Sequence, residues 1–380
     1  MHRSLLNLNS PRSMLREPSN GESKGGEHPL WSRAGLLPRA RNASFIWIVM
    51  SLVLVVFFSI PALAQDAFYK GKTVRIIVGA AAGGGYDTYS RIVARHMGKH
   101  INGNPTFVVD NMPGAGFLIS ANYMYKVAKP DGLTIGHFIG GLFLQQLLGK
   151  PGVEFDGTKF SFIGVPTQDN YVIGISKKTG ITSMDQWLST KTVVKLGGVG
   201  AGSATDDIPK VLKETIGLPV QLVSGYTGTS TVRLAYNSGE VQGVCNSWES
   251  FRATWPNELQ GGEMSIVLNT TAKPIADLPN LPLSVKYAKT DEARKLIQAL
   301  VHSVGPGARP YVLPPRTPKD RIATLQKAFM DTMKDPEFLA DAKKAKLDIN
   351  PLDGAELEKN VREVFNLDPK LIPRAKEILK

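Results

Sequence analysis

Apolar positions along this chain change period repeatedly, and the changes mark out alternating strands and helices. Residues 73–78, T-V-R-I-I-V, are rich in β-branched side chains and bounded by Gly71 and Gly79, which reads as a strand. Across residues 86–100, Tyr89, Ile92, Val93 and His96/Met97 fall on one helical face. A strand at 106–109 follows, then a helix at 117–128 stopped by Pro130-Asp131-Gly132, a strand at 133–139 and a short helix at 142–148. Two apolar strands, 160–165 and 171–176, then succeed one another directly.

The rhythm restarts beyond them. Helices at 182–189, 205–216 and 229–237 alternate with strands at 193–196, 220–223 and 241–245, and Gly217 and Gly239 end two of the helices. After a proline-rich stretch at 274–282, helices dominate at 292–302, 318–334, 336–344 and near the C-terminus. Two blocks of β-α-β units predict an α/β protein with two lobes, each built on a parallel or mixed sheet. Ligands of such sheets bind where loops leave the carboxyl ends of strands, so the cleft between the lobes is the expected site.

The first 64 residues have a different pattern. Residues 45–60 carry no charge, Arg33, Arg39 and Arg41 precede them, and Pro61 is followed by Ala62-Leu63-Ala64. A basic segment, an apolar run and small residues at a cleavage point read as an export signal cut after Ala64. The run is shorter than the about 20 apolar residues of a membrane-spanning helix. Residues 1–38 are polar, show no period and are set aside from the fold. The expected mature chain starts at residue 65, long enough at about 150 residues per domain for two cores.

Composition narrows the classes. Cys245 is the single cysteine, so an exported chain has no internal disulfide and depends on its core; its setting, V-Q-G-V-C, suits an inert buried thiol. The net charge of +12 favours anionic ligands, but no long block of like charge and no basic-aromatic stripe points to nucleic acid.

Four glycine-rich loops each lead from a strand into a helix: A-A-A-G-G-G-Y-D at 80–87, N-M-P-G-A-G at 111–116, G-G-V-G-A-G-S-A-T at 197–205 and S-G-Y-T-G-T-S at 224–230. A helix N-terminus exposes unpaired N–H groups and the positive end of the dipole, and glycine lets a ligand approach them. Any one loop can be a tight turn; four shared by two lobes suit one small anion held from both sides. A phosphate loop needs Lys-Ser/Thr where Gly85-Tyr86 stand, and a dinucleotide loop needs a third glycine where Thr88 stands. No G-x-S-x-G, H-E-x-x-H or C-x-x-C occurs. His96 and His100 are spaced i, i+4, but Gly98 separates them and no acidic ligand follows nearby, so they read as an ordinary helix face and no metal is expected. Asp87 caps the following helix or accepts from a ligand hydroxyl or ammonium.

The order of these motifs resembles one family. F-Y-K-G-K-T-V-R-I-I-V-G-A-A-A-G-G-G-Y-D-T-Y-S-R is followed by V-V-D-N-M-P-G-A-G, K-P-D-G-L-T-I-G, G-V-G-A-G-S-A-T-D, G-Y-T-G-T-S-T-V-R-L-A-Y-N-S-G-E-V-Q-G-V, D-L-P-N-L-P and P-P-R-T-P-K-D-R-I. Across nearly all of residues 66–380 this resembles the Bug (TctC-like) receptors of tripartite tricarboxylate transporters. The resemblance implies a periplasmic solute-binding protein of the type II periplasmic-binding-protein fold, with two α/β lobes, a central cleft and two hinge crossings near 166–170 and 283–290. Lobe 1 would comprise residues 65–168 plus 287–380, and lobe 2 residues 169–286. It further implies a small organic carboxylate as ligand, membrane permease subunits of a tripartite transporter as partners, no cofactor, no enzymatic activity and a monomer.

Carried over by position, the ligand contacts fall on Gly84, Gly85, Tyr86 and Asp87 of the first loop, on Gly200, Ala201, Gly202, Ser203 and Thr205, on Tyr226 and Gly228, and on Gln168 at the crossing. The sequence departs from the commoner family pattern in three places. A-A-A-G-G-G-Y-D lacks the usual proline and threonine, Asn111-Met112 replaces Asn-Arg, and Gly-Tyr-Thr-Gly replaces a lysine-bearing turn. Tyr86 would narrow the pocket or stack on an unsaturated ligand. Two rival readings are a receptor that signals to a membrane sensor kinase and a secreted α/β enzyme using Asp87 or a histidine as a base.

Overall fold

The computed structural model describes residues 68–379. The expected export segment and the polar residues before it lie outside that range. Among the described residues no helix is long and apolar enough to cross a membrane.

Eleven strands among the described residues form two sheets. The first holds β1 (Thr73–Val78), β2 (Thr106–Asn111), β3 (Thr134–His137), β4 (Ser161–Val165), β10 (Tyr311–Leu313) and β11 (Leu352–Asp353) in the order β11-β4-β10-β3-β1-β2. The second holds β5 (Tyr171–Ser176), β6 (Val194–Gly198), β7 (Val220–Ser224), β8 (Gly243–Ser247) and β9 (Met264–Asn269) in the order β7-β6-β8-β5-β9. Both sheets are mixed. β1 runs parallel to β2 and β3, and β6 parallel to β7 and β8. β10 is antiparallel to β3 and β4, and β5 antiparallel to β8 and β9. In each sheet, the strand beside the parallel trio follows directly on a crossing of the chain between the sheets.

The helices, in chain order, are α1 (Gly85–Met97), α2 (Leu118–Lys126), α3 (Gly141–Leu147), α4 (Met184–Thr190), α5 (Ala204–Ile216), α6 (Thr229–Ser238), α7 (Trp248–Thr254), α8 (Pro256–Gln260), α9 (Asp291–Ile297), α10 (Lys319–Thr332), α11 (Pro336–Lys344), α12 (Gly354–Phe365) and α13 (Ile372–Ile378). The periodic segments fold as their patterns predict. β1 alternates exposed and buried positions before its buried end, and α1 buries Tyr89, Ile92, Val93 and Met97. α1 ends sooner than the pattern suggests, passing into a 3-10 turn at Gly98–His100.

The strands β9, β10 and β11 and the helices α7, α8 and α12 have no counterpart in the periodicity reading. β10 is three residues long and buried throughout, too short to show a period. The second return also differs from the boundary expected near residue 287. Leu296, Ile297, Leu300 and Val301 pack into the apolar cluster of the second sheet, with Ile173, Trp187, Leu196 and Leu212. Ala375, Ile378 and Leu379 join the same cluster. α9 and α13 therefore belong with the second lobe, because their apolar faces meet α5 there, and the first sheet resumes only at Tyr311.

Candidate functional site

The carboxyl ends of β1 and β7 carry two of the glycine loops, and the fold brings these loops face to face. Ala81 N donates to Thr227 O at 2.9 Å, and Ser230 Oγ donates to Ala82 O at 2.9 Å. Gln145 Nε2 of α3 donates to Asp207 Oδ2 of α5 at 3.0 Å. Two backbone approaches permit this contact. A Cβ on Gly141 would lie 2.0 Å from Gly202 O, and one on Gly85 would lie 2.2 Å from Ser250 Oγ. At Gly141 the atom met is backbone, so only glycine fits there while the lobes touch; at Gly85 a larger residue would have to displace the Ser250 hydroxyl.

Between the loops lies a cavity of about 40 Å³ lined by Gly84, Gly85, Tyr86, Phe117, Tyr171, Ser203, Thr205, Thr229, Asn246, Ser250 and Arg309, with apolar side chains between them. Three helices begin at its wall: α1 at Gly85, α5 at Ala204 and α6 at Thr229. No N-cap side chain bonds the first turn of any of them. Their free N–H groups and dipoles favour negative charge. Phe117 is held at φ +68°, a strained conformation for a bulky residue, and its ring meets Tyr86 at a centroid distance of 4.9 Å.

Arg309 is the one cation among the lining residues, and it is 1% exposed. Its Nε donates to Asp169 Oδ1 at 2.7 Å, and its Nη2 to Ser247 Oγ at 3.0 Å and Ser250 Oγ at 2.7 Å. Its guanidinium carbon stands 4.5 Å from the centroid of the Tyr86 ring and 4.9 Å from that of Tyr89. Burial is the largest influence and disfavours the charge, but the Asp169 carboxylate together with Tyr86, Tyr89 and Tyr171 outweighs it, so the guanidinium stays protonated with its pKa above the usual value. Nη1 has no partner. Asn246 is also buried. Its Oδ1 accepts from Ser247 N at 3.0 Å, which leaves Nδ2 as the unpartnered end. Tyr86 donates its hydroxyl to Ala308 O at 2.7 Å, and burial raises its pKa, so it stays a neutral donor. His137 is stacked on Tyr311 at 4.1 Å, and burial together with Arg309 lowers its pKa to about 3.

The residues expected to touch ligand are distributed unevenly. Gly84, Gly85, Tyr86, Ser203 and Thr205 line the cavity. Asp87 is absent from the lining: its carboxylate accepts from Gly83 N at 2.9 Å, Arg91 Nε at 2.9 Å and Asn111 Nδ2 at 3.0 Å. Burial alone would raise its pKa, but these donors outweigh it and lower it. It fastens the first loop to β2. Gly200, Ala201 and Tyr226 lie on a separate rim groove with Gly116, and Tyr226 donates to Glu240 Oε1 at 2.7 Å. Gly202 packs on Gly141, Gly228 faces Ala81, and Gln168 is half-buried at the crossing, outside the lining. Ser203 and Thr205 also serve the loop itself. Ser203 Oγ donates to Gly200 O at 2.6 Å, and Thr205 Oγ1 accepts from Val199 N at 3.0 Å.

Arg309, Asn246, Ser250, Tyr171 and Thr229 were not among the expected contacts. Asn246 lies toward the carboxyl end of β8, where the strand-end rule directs attention. Arg309 precedes the short β10 that the periodicity does not reveal. A larger groove of about 610 Å³ lies elsewhere, between Trp248, Arg252 and Leu259 on one side and Leu339, Lys343 and Lys346 on the other. It contains none of the glycine loops, so the unspent donors rather than volume locate the site. His96 gains acidic neighbours through folding, standing with Asp335 and Glu337, but Lys99 Nζ bonds both carboxylates, at 3.0 Å and 2.6 Å.

A family profile described as the tripartite tricarboxylate transporter family receptor matches residues 89–376. A UPF0065 protein of Agrobacterium vitis is 27% identical over 246 residues, 63% of this chain and 67% of that relative. A UPF0065 protein of Bordetella bronchiseptica is 23% identical over 235 residues, 59% of this chain and 65% of its own. The alignments thus span about two thirds of these curated relatives. Among solved structures, the periplasmic binding protein BugD superposes with a TM-score of 0.65 at 22% identity, covering 82% of this chain and 97% of that one. MatC of Rhodopseudomonas palustris, solved with bound malate, gives a TM-score of 0.64 at 18% identity, covering 81% and 99%. An R. palustris protein solved with adipate gives 0.65 at 18%, covering 80% and 97%. These likenesses carry the two-lobed periplasmic-binding-protein fold, and the profile, spanning most of the chain, carries the family: this protein belongs to the receptors of the tripartite tricarboxylate transporter family.

Proposed function

We propose that this receptor works in the periplasm, where it captures a small carboxylate between its lobes without chemistry and delivers it to the permease subunits of a tripartite transporter. The observation that carries this reading is the meeting of three uncapped helix N-termini from both lobes at one buried cavity. An anion that bonds amides on both walls binds the closed arrangement better than an open one, and that differential affinity is what drives closure. The apolar run at 45–60 and Ala62-Leu63-Ala64 support export.

The enzyme reading finds little support. Asp87 accepts from three donors and stands outside the cavity lining, and His137 is held neutral against Tyr311. A general base needs a free lone pair within reach of a substrate proton.

Isothermal calorimetry of the purified protein against malate, succinate, adipate, citrate and benzoate tests the reading. Saturable one-to-one binding of at least one of them is expected, with about 2.7 kcal/mol of added stability at ligand 100-fold above Kd. Absence of binding across mono-, di- and tricarboxylates, or turnover of any of them, would overturn it.

A further inference from the structure

Two donors at the cavity wall have no work in the structure as it stands. Arg309 spends Nε and Nη2 on Asp169, Ser247 and Ser250, and leaves Nη1 unpartnered. Asn246 fixes its amide through Oδ1 and leaves Nδ2 unpartnered. Both side chains are more than nine-tenths buried and both line the same cavity. A buried donor left unsatisfied costs about 1–3 kcal/mol, more when charged, so two such donors on residues that line one cavity favour an acceptor there. Nη1 lies beside the first turn of α1, since a Cβ on Gly85 would be 3.2 Å from it. A group seated there also meets the α1 amides and their dipole.

We infer that Arg309 Nη1 and Asn246 Nδ2 form a charge-reading subsite that seats one carboxylate of the captured solute, so that the receptor selects the ionised acid over its neutral amide. The inference rests on the receptor reading and adds to it. Backbone amides and helix ends favour an anion only through the partial charge of their dipoles, whereas a full guanidinium charge held by Asp169 at fixed orientation discriminates more strongly by charge. The subsite also joins capture to the hinge. Asp169 sits on the crossing between β4 and β5, and Arg309 sits where the chain returns to β10. The guanidinium that reads the solute is thus the one that ties the two crossings together.

Removing Arg309 alone would strand the buried Asp169 charge, so the informative change is the neutral pair Arg309→Gln with Asp169→Asn, alongside Asn246→Ala, which leaves the ion pair intact. Malate, succinate, adipate, citrate and benzoate are titrated into each form, together with their primary amides. The wild type is expected to bind its best acid at least about 100-fold more tightly than the matching amide, corresponding to one charged hydrogen-bond pair. The neutral pair should lose most of that ratio, through weaker binding of the acid and not of the amide. Asn246→Ala should weaken the acid by about five- to tenfold.

A purely structural role would alter the unfolding midpoint without changing the acid-to-amide ratio. If both variants unfold cooperatively and keep wild-type affinity and ratio within twofold, the subsite is wrong while the receptor reading stands. If the neutral pair does not fold, Asn246→Ala decides alone. If the wild type binds no acid of the panel, the receptor reading fails and the subsite fails with it.

Discussion

Arg309 and Asp169 form a buried ion pair, with 2% and 0% side-chain exposure, and neither is exchangeable alone. Asp169 has both oxygens occupied, by Arg309 Nε and by the Tyr171 hydroxyl at 3.0 Å. Deleting one partner leaves an uncompensated buried charge, so Asp169→Ala should lower stability by about 3–5 kcal/mol in urea denaturation. The neutral pair described above should cost clearly less. Asp207 makes a second residue-scale prediction. Burial and the nearby Asp206 raise its pKa from 3.8 to about 7, although Gly202 N and Gln145 donate to it. Because the native pKa exceeds the unfolded one, the native state holds a proton that the unfolded chain has lost. Its stabilising contribution is therefore complete below the unfolded value and lost as pH rises through the native one. Asp207→Asn keeps the acceptor and removes the titration. It should exceed wild type in stability near pH 8 and lose that advantage as pH falls toward about 4, read from denaturation midpoints across the range.

At the scale of elements, the lobes meet through helix starts as well as through side chains such as Gln145 and Ser230. α3 begins at Gly141 against the carbonyl of Gly202, just before α5, and α1 begins at Gly85 against Ser250. A methyl group on Gly141 faces backbone that cannot rotate aside. Alanine is otherwise the better helix residue by about 1 kcal/mol, so Gly141→Ala should leave each lobe as stable as before and penalise only their approach. The expected result is at least about a tenfold rise in Kd for the bound carboxylate, with an unchanged or higher unfolding midpoint. Equal affinity would mean that the ligand-bound form does not use this contact. The loop 80–87 is treated differently by its own helix. Asp87, at the third position of α1, reaches back to Gly83 N and sideways to Asn111 of β2, so it sets the shape of the loop whose amides face the cavity.

Across the whole molecule, the two crossings at 166–170 and 270–310 divide one chain into two sheets with the cavity between them. Capture by closure predicts that small-angle scattering of the protein shows a smaller radius of gyration on addition of whichever carboxylate calorimetry identifies. No change at saturating ligand would point to a rigid receptor. Export predicts that protein recovered from the periplasm begins at Gln65, checked by intact-mass measurement.

Most of the secondary structure was legible from the sequence, because periodicity is a local property that each segment carries within itself: β1, β5 and α11 appear where their patterns place them. The glycine loops were legible for the same reason, since a strand, glycines and a helix start are contiguous in the chain. The family order of motifs was legible too. What the sequence could not provide is where loops from distant segments meet. Tyr86 reaches Ala308 across 222 positions, and Arg309 reaches Asp169 across 140. Asp87 looked equally fit to cap or to bind, and the folded structure commits its carboxylate to Gly83 N and Arg91 nearby in the chain and to the distant Asn111 of β2. The local chain fixed which amides are free. The long-range packing of two crossings decided that a buried arginine and asparagine would stand unspent beside them, because such convergence is a property of the assembled cores and of no single segment.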